Sequence, residues 1–203
     1  MKKNKKLAVF ASGNGSNFQA IVDSVHSGEL DAEVSLLVCD KPGAYAIERA
    51  NNAGIPSFVF KAKAYASKET FEKEIIAQLK SADVNFIVLA GYMRLIGSTL
   101  LNEYEGRIVN IHTSLLPAFP GKDAIGQALT AGVNETGVTV HFVDEGMDTG
   151  PIIAQKQVDI DETETLESLQ AKIHAVEHQL YPAVLQNLLT QGEMTYGKKE
   201  SVN

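Results

Sequence analysis

Short apolar runs alternate with amphipathic stretches through the first half of the chain. In order they are LAVFAS, a helical pattern from about Asn17 to His26, VSLLVCD, a second from about Ala44 to Ala53, IPSFVF, and a third from about Lys68 to Lys80. This is the βαβ rhythm of a parallel sheet. Phe18, Ile21, Val22 and Val25 recur at i, i+3, i+4 and i+7, and Gly28 stands where such a helix stops. Phe71, Ile75 and Leu79 stripe the third helix in the same way, and both stripes read as core faces.

The second half continues with VNFIVLAG, a helix near Gly97 to Tyr104, RIVNIH, a short helix near Asp123 to Ala131, and the strand patterns GVTVHFV and PIIAQKQVDI. The last two strands, joined by the 144–150 loop, are expected to pair antiparallel and make the sheet mixed. Leu166, Leu169, Ile173, Val176, Leu180 and Val184 mark a closing helix from Thr165 to about Thr190, which Pro182 is expected to kink or break. The segment after Gly192 is polar and expected to fray.

No repeat, low-complexity tract or long linker divides this pattern. It predicts a single α/β domain over residues 1–203: a mostly parallel, twisted, Rossmann-like sheet with flanking helices, mixed at its C-terminal strands. Ligands in such sheets sit beyond the carboxyl ends of the strands.

Composition narrows the function. With 44% apolar and 21% charged residues, the chain has the makeup of a soluble globular protein. A net charge of −7 argues against a nucleic-acid footprint, and the lysines at 2, 3, 5 and 6 read as a solvated leader to the first strand. No apolar run reaches the length of a membrane span, and the stretch after the lysines turns polar at Ser12 to Asn17, too soon for a signal peptide. A cytoplasmic chain is expected, with no membrane partner. Cys39, the lone cysteine, permits no internal disulfide and fits a small core residue.

Candidate chemistry lies mainly in the second half. In RIVNIHTSLLPAFP, Asn110 and His112 are two apart on a strand, so their side chains share a face. At an open strand end, an amide donor and an imidazole can hold a developing oxyanion and move a proton, although an isolated Asn-x-His is commonly structural. The segment from Gly137 to Gly150 adds a strand running into an acidic, glycine-punctuated loop that ends in Asp148. Its carboxylate is placed to orient or charge-stabilise a histidine.

Near the N-terminus, Ser12-Gly13-Asn14-Gly15-Ser16-Asn17 runs from a strand directly into a helix. Exposed backbone N–H groups and the helix dipole make an anion site there, and the bland alternative is a βα turn with an Asn cap. Phe18 replaces the third glycine of the dinucleotide fingerprint and no P-loop Lys-Ser/Thr follows, so a phosphomonoester is expected in preference to NAD or ATP. His174-Ala175-Val176-Glu177-His178 matches a zinc-peptidase pattern, but only Glu193 and Glu200 remain downstream as third ligands and no metal is expected.

With Gly13-Asn14-Gly15-Ser16-Asn17, Ala90-Gly91-Tyr92-Met93-Arg94, Asn110-Ile111-His112, Ser114-Leu115-Leu116-Pro117 and the Gly137–Gly150 segment in this order, the chain resembles the folate-dependent formyltransferases. The similarity is to the phosphoribosylglycinamide branch, over about residues 7–190. The resemblance implies the formyltransferase fold, with a phosphate-binding half (about 1–105), a catalytic and folate-binding half (about 106–190) and a polar tail (191–203). It implies 10-formyltetrahydrofolate as formyl donor and 5′-phosphoribosylglycinamide as acceptor in purine biosynthesis, and a monomer or homodimer.

Residue by residue, the resemblance assigns the phosphate to Gly15, Ser16 and Asn17 and the ribose or glycinamide to Glu177. The folate falls to Lys68, Met93, Arg94, Leu95, Ile96 and Val143, with Asn110 and Asp148. His112, Asn110 and Asp148 fall on the catalytic positions. One departure is Thr113, where the family usually has proline; the exchange restores an N–H and frees φ at the strand exit. A formyltetrahydrofolate hydrolase and a non-catalytic folate- or phosphate-binding module are the alternatives.

Overall fold

The computed structural model describes residues 5–190. The polar tail after Gly192, Glu193 and Glu200 within it, and the leader residues Lys2 and Lys3 lie outside the described residues. Among the described residues, seven strands and six α-helices follow the predicted order. They are β1 (Lys5–Ala11), α1 (Ser16–Ser27), β2 (Ala32–Cys39), α2 (Tyr45–Asn52), β3 (Ser57–Val59), α3 (Lys68–Ser81) and β4 (Phe86–Leu89). Then come α4 (Ser98–Glu103), β5 (Ile108–His112), α5 (Ala124–Ala131), β6 (Glu135–Phe142), β7 (Ile152–Asp159) and α6 (Leu166–Thr190).

The strands form one sheet in the order β3-β2-β1-β4-β5-β6-β7. The first five are parallel, and β6 is antiparallel to both β5 and β7, so the mixed character begins one strand earlier than the β6/β7 hairpin alone requires. After β1 the chain moves outward to β2 and β3, then returns to the other side of β1 as β4. The β1/β4 junction is therefore a topological switch point, where a crevice opens beyond the strand ends.

Alternate residues of β1 feed two cores. Leu7, Val9 and Ala11 pack with Phe18 and Ile21 of α1 and with Leu169, Ile173 and Leu185 of α6. Ala8 and Phe10 face the opposite layer with Phe71, Ile75 and Leu79 of α3 and Leu100 of α4. Full burial of each large side chain contributes on the order of 1.5–3 kcal/mol, which is why the central strands carry apolar residues at both parities. Leu166, assigned to the buried stripe of α6 by periodicity, is instead exposed at the first turn, while Tyr181 and Leu188 extend the buried face.

Pro182 does not break α6, which runs through it. The proline removes one backbone donor, but neighbouring Tyr181 anchors the helix by donating its hydroxyl to Leu89 O (2.8 Å) and Val109 O (3.2 Å). Leu89 closes β4 and Val109 lies within β5, so α6 is tied to the strands that carry the crevice. Cys39 is buried, with Sγ 3.4 Å from Lys41 O, and burial pushes its thiol pKa up, the behaviour of a core residue.

Candidate active site

A cavity of about 790 Å³ opens at the switch point, lined by the chain following β1, β4, β5 and β6 and by one face of α6. Its first wall is the Gly13–Asn17 loop. Gly15 sits at the N-cap of α1 with φ 76°, and a Cβ there would lie 2.7 Å from Ala46 Cβ, so both conformation and the close approach of α2 require glycine. No side chain caps α1, which removes the Asn-cap reading and leaves the first-turn N–H groups without a side-chain acceptor. Arg49 of α2 steadies the loop, donating from Nε to Asn14 O (2.9 Å) and from Nη2 to Asn14 Oδ1 (3.0 Å).

Asn17, in the first turn of α1, donates from Nδ2 to Glu177 Oε1 at 3.1 Å across the cavity floor. Its Oδ1 is buried without a hydrogen-bond partner. Glu177 is only 4% exposed, and burial pushes its carboxyl pKa up to about 7 against the lowering effect of the Asn17 donor. His174, one turn earlier, also lines the cavity, with Nε2 3.9 Å from Glu177 Oε2. Among the described residues no group of three His, Cys, Asp or Glu side chains is arranged to hold a metal.

On the opposite wall, Asn110 and His112 project from the end of β5 as the period of two requires, and both line the cavity. Asp148 arrives from the β6–β7 loop with φ 57°, a left-handed conformation that Asp adopts more readily than bulkier residues. Its Oδ2 accepts from Gly121 N (2.8 Å) and stands 3.5 Å from His112 Nδ1, while Oδ1 stands 3.6 Å from His141 Nε2. Burial alone would raise this carboxyl. The hydrogen bonds from His141 and Gly121 and the charges of the two imidazoles outweigh that and hold it below the usual range. Asp148 is therefore a carboxylate at neutral pH.

His112 Nε2–H donates to Phe119 O at 2.8 Å. Phe119 is held at φ 51°, an uncommon conformation for a bulky residue, so the 113–121 loop is bent to present that carbonyl. The ring thus faces an acceptor on each side, and its N–H does not point freely into the cavity. Asn110 Nδ2 contacts His141 Nε2 at 3.3 Å, and His141 Nδ1–H donates to Phe142 O at 2.8 Å. In the neutral His141 ring Nε2 accepts one hydrogen of the Asn110 amide and leaves the second for the cavity; in the doubly protonated ring Nε2–H is given to Asp148 instead.

His141 was missed by the sequence reasoning, although the signal was present. In the antiparallel register of β5 and β6 it lies directly opposite Asn110, and Thr139 lies opposite His112. Asp40, which belongs to no spacing motif, was also missed, and Ser12 was read only as the first residue of the anion loop; together they hold the loop after β4.

That loop forms the outer wall. Met93 (62% exposed) and Leu95 (51%) face outward at the mouth, Ile96 is buried, and Arg94 donates from Nε to Asp40 Oδ2 at 2.7 Å. Val143 lines the cavity from the far side. Lys68 does not line it: α3 begins at the Ser67 cap behind the loop, and the lysine stem lies against Gly97. Of the sequence-assigned residues, Gly15, Ser16, Asn17, Met93, Arg94, Leu95, Ile96, Asn110, His112, Val143, Asp148 and Glu177 all share this one cavity.

Comparison with known proteins points the same way. Phosphoribosylglycinamide formyltransferase of Bacillus subtilis is 61% identical over 185 residues, covering 91% of this chain and 95% of that one. The crystal structure of glycinamide ribonucleotide transformylase 1 from Geobacillus kaustophilus superposes with a TM-score of 0.90 at 65% identity, over 92% of this chain and 100% of that chain. Phosphoribosylglycinamide formyltransferase from Bacillus halodurans gives 0.91 at 57% identity, over 95% and 100%. The trifunctional purine biosynthetic protein adenosine-3 of Drosophila melanogaster is 45% identical over 93% of this chain, which spans 14% of that longer protein. With the family profile for formyl transferases also matching residues 5–185, nearly the whole described sheet and the cavity at its switch point, the chain belongs to the formyl transferase family.

Proposed function

We propose that the chain transfers the formyl group of 10-formyltetrahydrofolate to the amine of 5′-phosphoribosylglycinamide. The observation that carries this reading is that one cavity joins an uncapped, glycine-opened helix N-terminus to the Asn110, His112 and Asp148 side chains. A phosphate held at Gly15, Ser16 and Asn17 directs the rest of its molecule along the floor past Glu177 toward β5. The folate occupies the outer wall formed by Met93, Arg94, Leu95, Ile96 and Val143. The relatives that match over nearly their whole length carry the name of this activity.

In the reaction the amine nitrogen adds to the formyl carbon, and the carbonyl becomes an alkoxide. The C–N10 bond then breaks, N10 gains a proton and the new amide nitrogen loses one. The free hydrogen of Asn110 Nδ2 meets the alkoxide, a preorganised donor worth on the order of 3 kcal/mol. His112 contributes its Nε2–H by exchanging Phe119 O for that stronger acceptor, while the Asp148 carboxylate accepts from Nδ1–H of the doubly protonated ring and keeps it oriented. Proton movement between the two nitrogens, directly or through water, is worth roughly 10²- to 10⁴-fold. Bringing both substrates into one cavity supplies the remaining acceleration by proximity.

The test is a spectrophotometric assay of folate product from a 10-formyl folate, with and without 5′-phosphoribosylglycinamide. Turnover that requires both establishes the transferase. Formate release without the ribosyl substrate would instead mark a hydrolase, and binding without turnover a binding module.

A further inference from the structure

The end of β2 carries a buried charge that the scheme above leaves without a task. Asp40 follows directly on Cys39, and its side chain is 2% exposed. Its Oδ1 accepts from Ser12 Oγ at 2.5 Å, and its Oδ2 accepts from Arg94 Nε at 2.7 Å. Ser12 Oγ in turn accepts from Met93 N at 2.9 Å, and Ser12 N donates to Gly91 O at 3.1 Å. Three separate segments, the ends of β1 and β2 and the loop leaving β4, therefore converge on one carboxylate.

Fold stability gives little reason for this arrangement. Burying a carboxylate carries a desolvation penalty that an ion pair repays only with complete hydrogen bonding, and apolar replacements of such pairs are often neutral or stabilising. What the group does hold is specific. The 92–97 segment is pinned at its start by the Tyr92 ring, edge-on to Phe10 at 5.3 Å, and at its end by Glu72, which accepts from Gly97 N at 2.6 Å. Between those pins, Met93 and Arg94 are fixed by Ser12 and Asp40. Engaging Arg94 through Nε orients its planar fork, a constraint that a lysine could not supply.

We propose that Asp40 is a positioning residue for the formyl donor, holding the Met93–Ile96 wall in place through Ser12 and Arg94. The inference rests on the formyl-transfer reading. It predicts a selective effect, because the hydrogen bonds of Asp40 reach the outer wall, while the Gly13–Asn17 loop is held separately by Arg49.

The experiment is steady-state kinetics of wild type, D40N and S12A with each substrate varied in turn, after thermal melts establish that each variant is folded at the assay temperature. Asn at position 40 removes the charge that holds Arg94, and KM for the 10-formyl folate should rise about 10- to 100-fold, the range for a hydrogen bond to a charged group. KM for 5′-phosphoribosylglycinamide and kcat should each stay within about 3-fold. S12A keeps the Asp40–Arg94 contact and loses both the Met93 anchor and the hydroxyl that donates to Asp40, so it should raise the same constant about 3- to 10-fold; it carries the test if D40N does not fold.

Equal increases in both KM values, or a folate KM unchanged in both variants, would overturn the proposal. Fluorescence titration with a non-transferable 10-formyl folate analogue separates the two levels of inference. If wild type binds it and D40N binds it equally well, only the role of Asp40 falls. If wild type does not bind it, the formyl-transfer reading falls and this inference falls with it.

Discussion

Replacing Glu177 with glutamine should make the protein more stable at pH 8, and the expected size follows from its burial. The carboxyl is 4% exposed, receives one hydrogen bond, from Asn17 Nδ2, and has a pKa pushed up by burial to about 7 from an ordinary 4.5. A carboxyl with a raised folded-state pKa binds its proton more tightly in the native state. Its contribution is thus fully favourable below the unfolded pKa and is lost as pH rises through the folded one. Integrating between those two values, ionisation of Glu177 costs the fold about 2.5 kcal/mol more at pH 8 than at pH 5.

Glutamine keeps the acceptor for Asn17 and cannot ionise. Urea denaturation of wild type and E177Q at pH 5, 6, 7 and 8 should give curves that nearly meet at the acid end and separate steadily, the variant lying about 2.5 kcal/mol farther ahead at pH 8 than at pH 5. For a chain of this size that corresponds to roughly 5–10 °C in melting temperature. Asp148 and the histidines remote from position 177 are common to both proteins and cancel in the difference; His174, 3.9 Å from Glu177 Oε2, is coupled to the substituted group. Parallel stability curves across this pH range would refute the reasoning, since they would mean that Glu177 titrates normally. The same variant should bind the ribosyl substrate more weakly, the usual exchange of stability for function at a site kept polar for a ligand.

Asp148→Asn should lower kcat by roughly 10²- to 10⁴-fold with KM for the phosphorylated substrate nearly unchanged, and full turnover would remove Asp148 from the mechanism. His141→Ala frees the Asn110 amide from its 3.3 Å contact, and a loss of about 10-fold in kcat is expected in the same assay, the equivalent of one ordinary hydrogen bond. Gly15→Ala places a methyl group 2.7 Å from Ala46 Cβ at a left-handed φ, so chemical denaturation should show a loss of at least about 1–2 kcal/mol, together with a higher KM for the phosphorylated substrate. Thr113→Pro should retain activity and gain about 0.4–1 kcal/mol, because position 113 has no positive φ and, among the described residues, none of the loop hydrogen bonds uses its N–H. Inactivation of that variant would show that the strand exit needs the freedom that threonine gives.

The elements whose patterns are local were legible in the sequence. The Phe18–Val25 stripe and Gly28 gave α1 nearly to the residue, and the Asn-x-His spacing placed two cavity side chains on one face of β5. What escaped depends on pairing between distant segments. His141 becomes part of the site only because antiparallel β6 sets it opposite Asn110, 31 residues away. Asp40 and Ser12 meet across parallel strands, where no short motif records the register. Pro182 was given its intrinsic helix-breaking weight, whereas tertiary packing on both sides of it, with Tyr181 tied to β4 and β5, keeps α6 continuous. Lys68, matched position by position, stands at the first turn of α3 with its stem against Gly97 and does not line the cavity.

Asp148 and Glu177, which line this cavity, and Asp40, buried behind its outer wall, have been given different tasks by the donors around them. Asp148 is surrounded by a backbone N–H and two imidazoles, and these overcome its burial, so it stands ready as an anion beside His112. Asp40 is matched to one guanidinium and one hydroxyl, a geometry that fixes a loop and leaves no oxygen free for substrate. Among the described residues Glu177 receives a single amide donor, and its second oxygen has only His174 at 3.9 Å. Its burial is under-compensated by the single Asn17 donor, which is why its carboxyl is raised while that of Asp148 is lowered. A ligand that brings hydroxyl or amine hydrogens to Glu177 would supply the missing donors, so its raised pKa should fall toward the ordinary carboxylate range on binding and a proton should be released. Calorimetric titration with 5′-phosphoribosylglycinamide at pH 6.5 in two buffers of different ionisation enthalpy measures that proton directly. Wild type should release a fraction of one proton that E177Q does not, and equal proton release by the two proteins would mean that the substrate does not engage this carboxyl.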